Sequence, residues 1–281
     1  MNKLLLCTDL DRTLLPNGPQ PASAQASELF NQLTRRPEVT LSYVTGRDPV
    51  LVEDAIKEYQ IPLPDYVIAD VGASIYRVKP NEWEHWPIWD NNIRQSWANH
   101  SHSDLKSLLS PFQELKIQEE SKQSTFKLSY YVSLQVPHKE LLEKIKIILV
   151  SKNIDANLIW SIDEEKNIGL LDVLPSSAGK REAIDFLSTQ LKFKHHEVIF
   201  AGDSGNDISV MVSPIQAILV ANANEDVKQE AITQAQTNGN SQQLYLAKGN
   251  FHGLNGNYCS GILEGVVHYM KQAEIWIWDK T

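Results

Sequence analysis

The chain has 281 residues, 42% of them hydrophobic and 22% charged, which is enough for one large core or two unequal ones. A net charge of −9 argues against non-specific binding to nucleic acid or to an anionic membrane, although a local site can still take a small anion. Two cysteines, Cys7 and Cys259, exclude a disulfide framework and point to a reducing compartment. The apolar start at Leu4-Leu5-Leu6 is too short for a leader, and no window approaches the roughly 20 apolar residues of a membrane span, so a cytoplasmic protein is expected.

In chain order, the first third alternates strands and helices. Leu4 to Thr8 reads as a strand, Ser23 to Leu33 as a helix, Val39 to Val44 as a strand and Pro49 to Tyr59 as a helix. Tyr66 to Ala69 and Ser74 to Val78 follow as strands. The last third repeats the alternation, with a helix at Arg181 to Leu191, strands at Val198 to Ala201 and Ala217 to Val220, and a helix at Asp226 to Ala235. Such alternation implies crossover units and a parallel sheet covered on both faces.

The middle differs. Trp83, Trp86, Trp89 and Trp97 crowd the stretch 80–100, where packing is the commoner use of an indole and stacking on a sugar face the rarer one. In "STFKLSYYVSL", Phe126, Leu128, Tyr130, Val132 and Leu134 share one face; Lys127, Ser129, Tyr131 and Ser133 share the other. That is an antiparallel strand with one wet face. "HKELLEKIKIILVSK" is an amphipathic helix, and "NLIWSI" and "IGLLDVL" are further strands. An α+β module at 80–174 is therefore expected to interrupt an α/β core made of 1–79 and 175–281.

Open parallel sheets bind ligands outside the carboxyl ends of their strands. The first strand ends at Asp9 and Asp11, two residues apart and so pointing the same way in an extended chain. Burying both is costly unless they share a cation or a proton, or else they merely cap a helix. The second strand ends at Thr45-Gly46-Arg47, followed by Asp48-Pro49, a strong helix start that leaves free amides for an anion; taken alone, Thr-Gly is also an ordinary turn. Lys180 stands at the start of a helix, where a cation opposes the dipole unless an anion is near. The fourth strand runs into Gly202-Asp203-Ser204-Gly205-Asn206-Asp207. Its carboxylates and amide suit a hard cation, or bond their own backbone in a turn. Together the four strand ends supply what phosphoryl transfer needs: a nucleophile, a metal site, and cationic and hydrogen-bonding groups. Asp172, in an apolar strand, is unusual and either contacts substrate or pairs with a nearby lysine. His252, beside Gly253, reads as a loop histidine with no partner at ligand spacing.

In Asp9-Leu10-Asp11-x-Thr13, Thr45-Gly46-Arg47, Lys180 and Gly202 to Asp207, the sequence resembles the haloacid-dehalogenase superfamily of phosphatases. The module between the second and third motifs resembles that family's large α+β cap. Within the branch the likeness is to sucrose-phosphate phosphatases, through "VGASIY", "FKLSYY", "LLDVLPSSAGK" and "YLAKGNFHG" with "SGILEGVVHY". Arg181 after Lys180 and the stretch "LNGNYC" depart from the pattern. The resemblance implies a Rossmann-like core with an inserted cap domain. It implies Asp9 as nucleophile and Asp11 as acid, then base. It implies Mg²⁺ held by Asp9, the Asp11 backbone carbonyl and Asp203, with Asp207 as a further or outer ligand. Thr45, Gly46 and Lys180 would hold the phosphoryl oxygens and Asn206 would orient Lys180 or the phosphate. Cap closure would exclude water, with Lys127 and Ser129 on sugar hydroxyls. The expected reaction is Mg²⁺-dependent hydrolysis of sucrose 6-phosphate. Rival readings are another glycosyl phosphate such as mannosylfructose phosphate, a sugar phosphomutase, or a non-catalytic partner of a sucrose-phosphate synthase. Intact Asp9, Asp11, Lys180 and Asp203 argue against the last.

Overall fold

The computed structural model describes residues 3–80, 82–163 and 166–278. Twelve strands are seen among them: β1 (Leu4–Thr8), β2 (Val39–Val44), β3 (Tyr66–Ala69), β4 (Ser74–Lys79), β5 (Glu82–His85), β6 (Lys116–Ile117), β7 (Leu128–Val132), β8 (Ala156–Asp163), β9 (Ile168–Pro175), β10 (Val198–Gly202), β11 (Gln216–Leu219) and β12 (Leu244–Leu246). They build an eight-stranded sheet in the order β12-β11-β10-β1-β2-β3-β4-β5 and a four-stranded sheet in the order β6-β7-β9-β8. In the large sheet every pair from β12 to β3 is parallel, and β4 and β5 add an antiparallel edge. The small sheet is antiparallel throughout.

β1 is buried along its whole length because it sits mid-sheet with helices on both faces. Leu4 and Leu6 join one apolar cluster with Phe30, Ile262 and Leu263; Leu5 and Cys7 join the other with Ile184 and Leu187. That two-sided burial is why the strand reads as an unbroken apolar run. The chain leaves β1 for β2 and β3 on one side, then returns through β10 and β11 on the other. The switch point therefore lies between β1 and β10, where the carboxyl ends of both strands open a crevice.

The Asp-Pro start holds: Pro49 opens the helix Pro49–Tyr59, and the Asp48 side chain accepts a hydrogen bond from the Leu51 N–H at 3.0 Å. The first helix begins at Ala26, three residues later than expected, with no side-chain cap at Gln25. The helix after β9 begins at Lys180 itself. Nothing in the sequence pattern signals β5, which carries the large sheet to His85, six residues past position 79, or the helices Pro87–Ile93, His102–Leu109, Cys259–Tyr269 and Gln272–Trp278.

One expectation holds only in part. The polar face of the β7 segment is dry at its cleft end, where Lys127 is 4% exposed and Ser129 fully buried, whereas Tyr131 and Ser133 further along reach solvent. Alternation reports that one face is polar. It cannot report whether that face meets water or the polar mouth of a second sheet. The tryptophans mostly pack. Trp89 and Trp97 are fully buried, and Trp89 meets the Phe186 ring at 4.9 Å while its Nε1 donates to the Gly72 carbonyl at 3.0 Å. Trp86 stacks on Tyr66 at 5.7 Å, and Trp83 lies 6.1 Å from Tyr76. His252 is a loop residue whose Nε2 lies 2.7 Å from Glu274. Among the described residues no helix is long and apolar enough to cross a membrane.

Candidate active site

At the switch point, the loops after β1 and β10 meet the first turn of the helix Lys180–Gln190. Lys180 is 1% exposed. Its Nζ donates to Asp9 Oδ1 at 2.9 Å, Asn206 Oδ1 at 3.1 Å and Asp207 Oδ1 at 2.6 Å. Burial works against its charge, but the Asp207 and Asp9 carboxylates outweigh it and raise the lysine's pKa. A lysine at a helix start is therefore explained by two buried anions rather than by solvent.

Asp207 also builds its own loop. Its second oxygen accepts from the Asp203 and Ser204 N–H groups at 3.1 and 3.2 Å. Asp203 accepts from the Thr13 hydroxyl at 3.0 Å and lies 3.6 Å from the Arg12 Nε. Asp9, Asp203 and Asp207 are all buried and bring one oxygen each within 4.8 Å of the others. Burial, then the neighbouring Asp207, pushes the Asp203 carboxyl up to about 7. Burial also raises Asp9 well above its ordinary value, with Asp207 and Asp203 adding to the effect and Lys180 opposing it. Three carboxylates against the buried Lys180 and the partly exposed Arg12 still leave a surplus of negative charge, and an all-oxygen donor set of this kind fits a hard divalent cation such as Mg²⁺.

Asp11 does not join that cluster with its side chain. Its carboxylate takes a two-pronged hydrogen bond from Arg47, Nη2 to Oδ1 at 2.6 Å and Nε to Oδ2 at 2.9 Å, and a third from Asn17 Nδ2 at 2.7 Å. Partial burial disfavours the charge, but the bonds from Arg47 and its positive charge win and hold the carboxyl below its usual range. Arg47 was visible in the sequence as part of Thr-Gly-Arg, yet nothing in the spacing showed that it would hold Asp11.

Thr45 is buried at the end of β2, its hydroxyl 3.2 Å from the Arg47 N–H, and Gly46 follows at the cleft wall. These strand ends floor a cleft of about 780 Å³ that reaches the small sheet. Register puts Asp172 opposite Ser129 and Ile159, and Leu170 opposite Tyr131 and Ser161, so these residues share the face turned to the cleft. Ser129 donates its hydroxyl to Asp172 Oδ1 at 2.5 Å. Lys127 reaches further in, its Nζ 3.5 Å from the Gly46 carbonyl and 4.0 Å from Asp70. Gln118, Lys122, Ser161 and Asp163 line the same mouth without having been singled out. Trp160 also lines the cleft, although register turns its side chain to the opposite face, where its ring stacks on His138 at 4.8 Å.

The structure thus brings Asp9, Lys180, Asp203, Asn206 and Asp207 into contact, places Asp11, Thr45 and Gly46 around them, and sets Lys127, Ser129 and Asp172 across the cleft. The fold is shared with a sucrose-phosphatase of Synechocystis solved with sucrose and phosphate: the TM-score is 0.76 at 24% identity, covering 96% of this chain and 98% of that one. A protein of Nitrosococcus oceani named only as a HAD-like hydrolase is 46% identical over 275 residues, 98% of this chain and 74% of its own length. Sucrose-phosphatase 1 of Nicotiana tabacum is 28% identical over 232 residues, 81% of this chain. This chain spans 52% of that tobacco protein's length. The family model described as sucrose-6F-phosphate phosphohydrolase matches residues 2–270, and the chain belongs to that family of haloacid-dehalogenase phosphatases.

Proposed function

We propose that this chain hydrolyses the phosphomonoester of a sugar phosphate, with sucrose 6-phosphate as the substrate. The observation that carries the reading is the buried Lys180 shared by Asp9, Asn206 and Asp207 at the switch point, facing a cleft roofed by a polar sheet. Family membership and the matching fold of a protein solved with sucrose and phosphate support it.

Asp9 attacks phosphorus and carries the phosphoryl group as an aspartyl phosphate; Lys180 at 2.9 Å favours its ionised form. Thr45, the Gly46 amide and Lys180 hold the phosphoryl oxygens, and Asn206 keeps the Lys180 ammonium aimed. Asp11 protonates the departing sugar oxygen and then takes a proton from the hydrolytic water. To carry that proton it has to leave the two-pronged grip of Arg47, and a phosphoryl group in the cleft gives that guanidinium an alternative anion. Asp9, Asp203 and the Asp11 backbone carbonyl would hold Mg²⁺, with Asp207 fixing the loop beneath. The metal supplies charge neutralisation for the transferring phosphoryl group. The small sheet and its helices, within 80–174, act as the cap that selects the sugar. We place the reaction in the cytoplasm, with a sucrose-phosphate synthase as the supplier of substrate.

The test is phosphate release, with added Mg²⁺, from sucrose 6-phosphate, mannosylfructose phosphate, glucose 6-phosphate and fructose 6-phosphate. At least a tenfold preference in kcat/KM for sucrose 6-phosphate is expected. A preference for another sugar keeps the chemistry and discards the substrate. No release from any of them overturns the enzyme reading in favour of a binding partner.

A further inference from the structure

The stretch "VGASIY" carries part of the family likeness, yet the chemistry above gives it no task. Its first two residues and the preceding Asp70 form the turn between β3 and β4. Asp70, Val71 and Gly72 have φ of 54°, 60° and 99°, three left-handed residues in a row. Glycine takes that conformation freely, but a β-branched valine is an outlier there and persists only when its surroundings enforce it.

The surroundings come from three directions. The Asp70 and Val71 N–H groups donate to the Arg47 and Thr45 carbonyls at 3.1 and 3.0 Å, and the Val71 side chain lies beside Gly46. Gly72 packs so tightly on the start of the Lys180 helix that a Cβ there would sit 2.2 Å from the Gly179 carbonyl carbon. The Gly72 carbonyl accepts from Trp89. Asp70 itself is buried; one oxygen accepts from the Ser74 hydroxyl at 3.0 Å and the other faces Lys127 at 4.0 Å. One turn therefore touches the Thr45–Gly46 loop, the Lys180 helix and two residues of the inserted module.

We propose that Asp70 is a positioning residue: from this strained turn it fixes Lys127 over the Thr45–Gly46 loop, so that the residue reading the sugar and the residues holding the phosphate keep one geometry. The inference rests on the sugar-phosphatase reading for the roles of Lys127 and Thr45. Asp70 touches no reacting atom, and its carboxylate acts through the lysine.

Two measurements test it, one of which needs no turnover. The first is KM and kcat of Asp70→Asn on sucrose 6-phosphate and on p-nitrophenyl phosphate, with Lys127→Met and the double variant alongside. The expected result is about a tenfold rise in KM for the sugar substrate, a clearly smaller rise for the aryl phosphate, and a double variant no worse than Lys127→Met alone. Equal losses on both substrates, or losses that multiply in the double variant, overturn the proposal. The second is amide hydrogen exchange. Asp70→Asn is expected to speed exchange across 126–132, and unchanged exchange overturns positioning even if the wild type hydrolyses no sugar phosphate. If Asp70→Asn fails to fold, exchange at the Asp70 and Val71 amides in Lys127→Met decides instead, and there too an unchanged rate overturns it.

Discussion

The floor and the roof of the cleft are built by opposite rules. On the floor, Asp9, Lys180, Asp203 and Asp207 are all buried: Lys180 joins Asp9 to Asp207, Asp207 also takes backbone amides, and Asp203 takes the Thr13 hydroxyl. On the roof, Ser129 is spent on Asp172, and Ser161, Asp163, Lys122 and Gln118 line a wide mouth. A low-dielectric, pre-arranged set of charges suits a reaction whose charge changes are the same for every phosphomonoester. A half-open polar sheet suits discrimination among sugars, whose hydroxyls differ in position rather than in charge. Damage to the floor should therefore strike all substrates alike, and damage to the roof should strike by substrate.

The largest effect should come from Asp9→Asn. An amide is isosteric with the carboxylate but cannot form the acyl phosphate, so kcat should fall by at least about 10³-fold on sugar and aryl phosphates alike. Circular dichroism and the thermal midpoint should remain near wild type. Retained turnover in a folded variant would remove Asp9 from the nucleophile's role and erase the contrast between floor and roof.

The next effect concerns the charge surplus of the floor. The folded Asp203 carboxyl titrates at about 7, above the usual value of 3.8, because burial and then Asp207 disfavour its ionisation. A raised carboxyl keeps its proton in the folded state while the unfolded chain has released it, so stability falls as pH rises from about 4 to about 7. Asp203→Asn cannot lose that proton. In metal-free buffer the variant should gain on the wild type across this range by a few kcal/mol at most, read from urea midpoints. Added Mg²⁺ should stabilise the wild type at pH 7 and the variant much less, by mass action on the ionised site. A pH-independent gap between the two proteins would mean that Asp203 is already ionised and paired.

How much of this was legible depended on distance along the chain. The floor was readable because each strand end announces itself within five residues: an apolar run, then Asp-x-Asp, or Asp48-Pro49, or Gly202 to Asp207. The grip of Arg47 on Asp11 spans 36 residues and has no local signature. The turn at Asp70–Gly72 was hidden for another reason: only one of its three left-handed residues is a glycine, so the sequence does not warn of the strain at Asp70 and Val71. The roof was half legible. Alternation at Phe126 to Ser133 gave the strand and its two faces correctly. It left the polar face open between water and a sugar, because the second polar surface, the mouth of the parallel sheet, is brought there only by the fold.

Those two readings of one face make Lys127 the sharpest probe of the roof. A solvent-facing lysine at this position would be replaceable at almost no cost. Lys127 is 4% exposed, with Asp70 at 4.0 Å and the Gly46 carbonyl at 3.5 Å, so its ammonium is held at the boundary between floor and roof. Lys127→Met keeps most of the aliphatic stem and removes the charge, which limits the loss of packing. One lost charged hydrogen bond to a substrate hydroxyl is worth about 1.5 to 3 kcal/mol, or roughly 10- to 150-fold in KM. The rise should appear on sucrose 6-phosphate and be several-fold smaller on p-nitrophenyl phosphate, which offers no sugar to hold. If instead both substrates suffer alike, Lys127 serves the phosphoryl group with Thr45 and Gly46. The line between floor and roof would then run through the cap rather than beneath it.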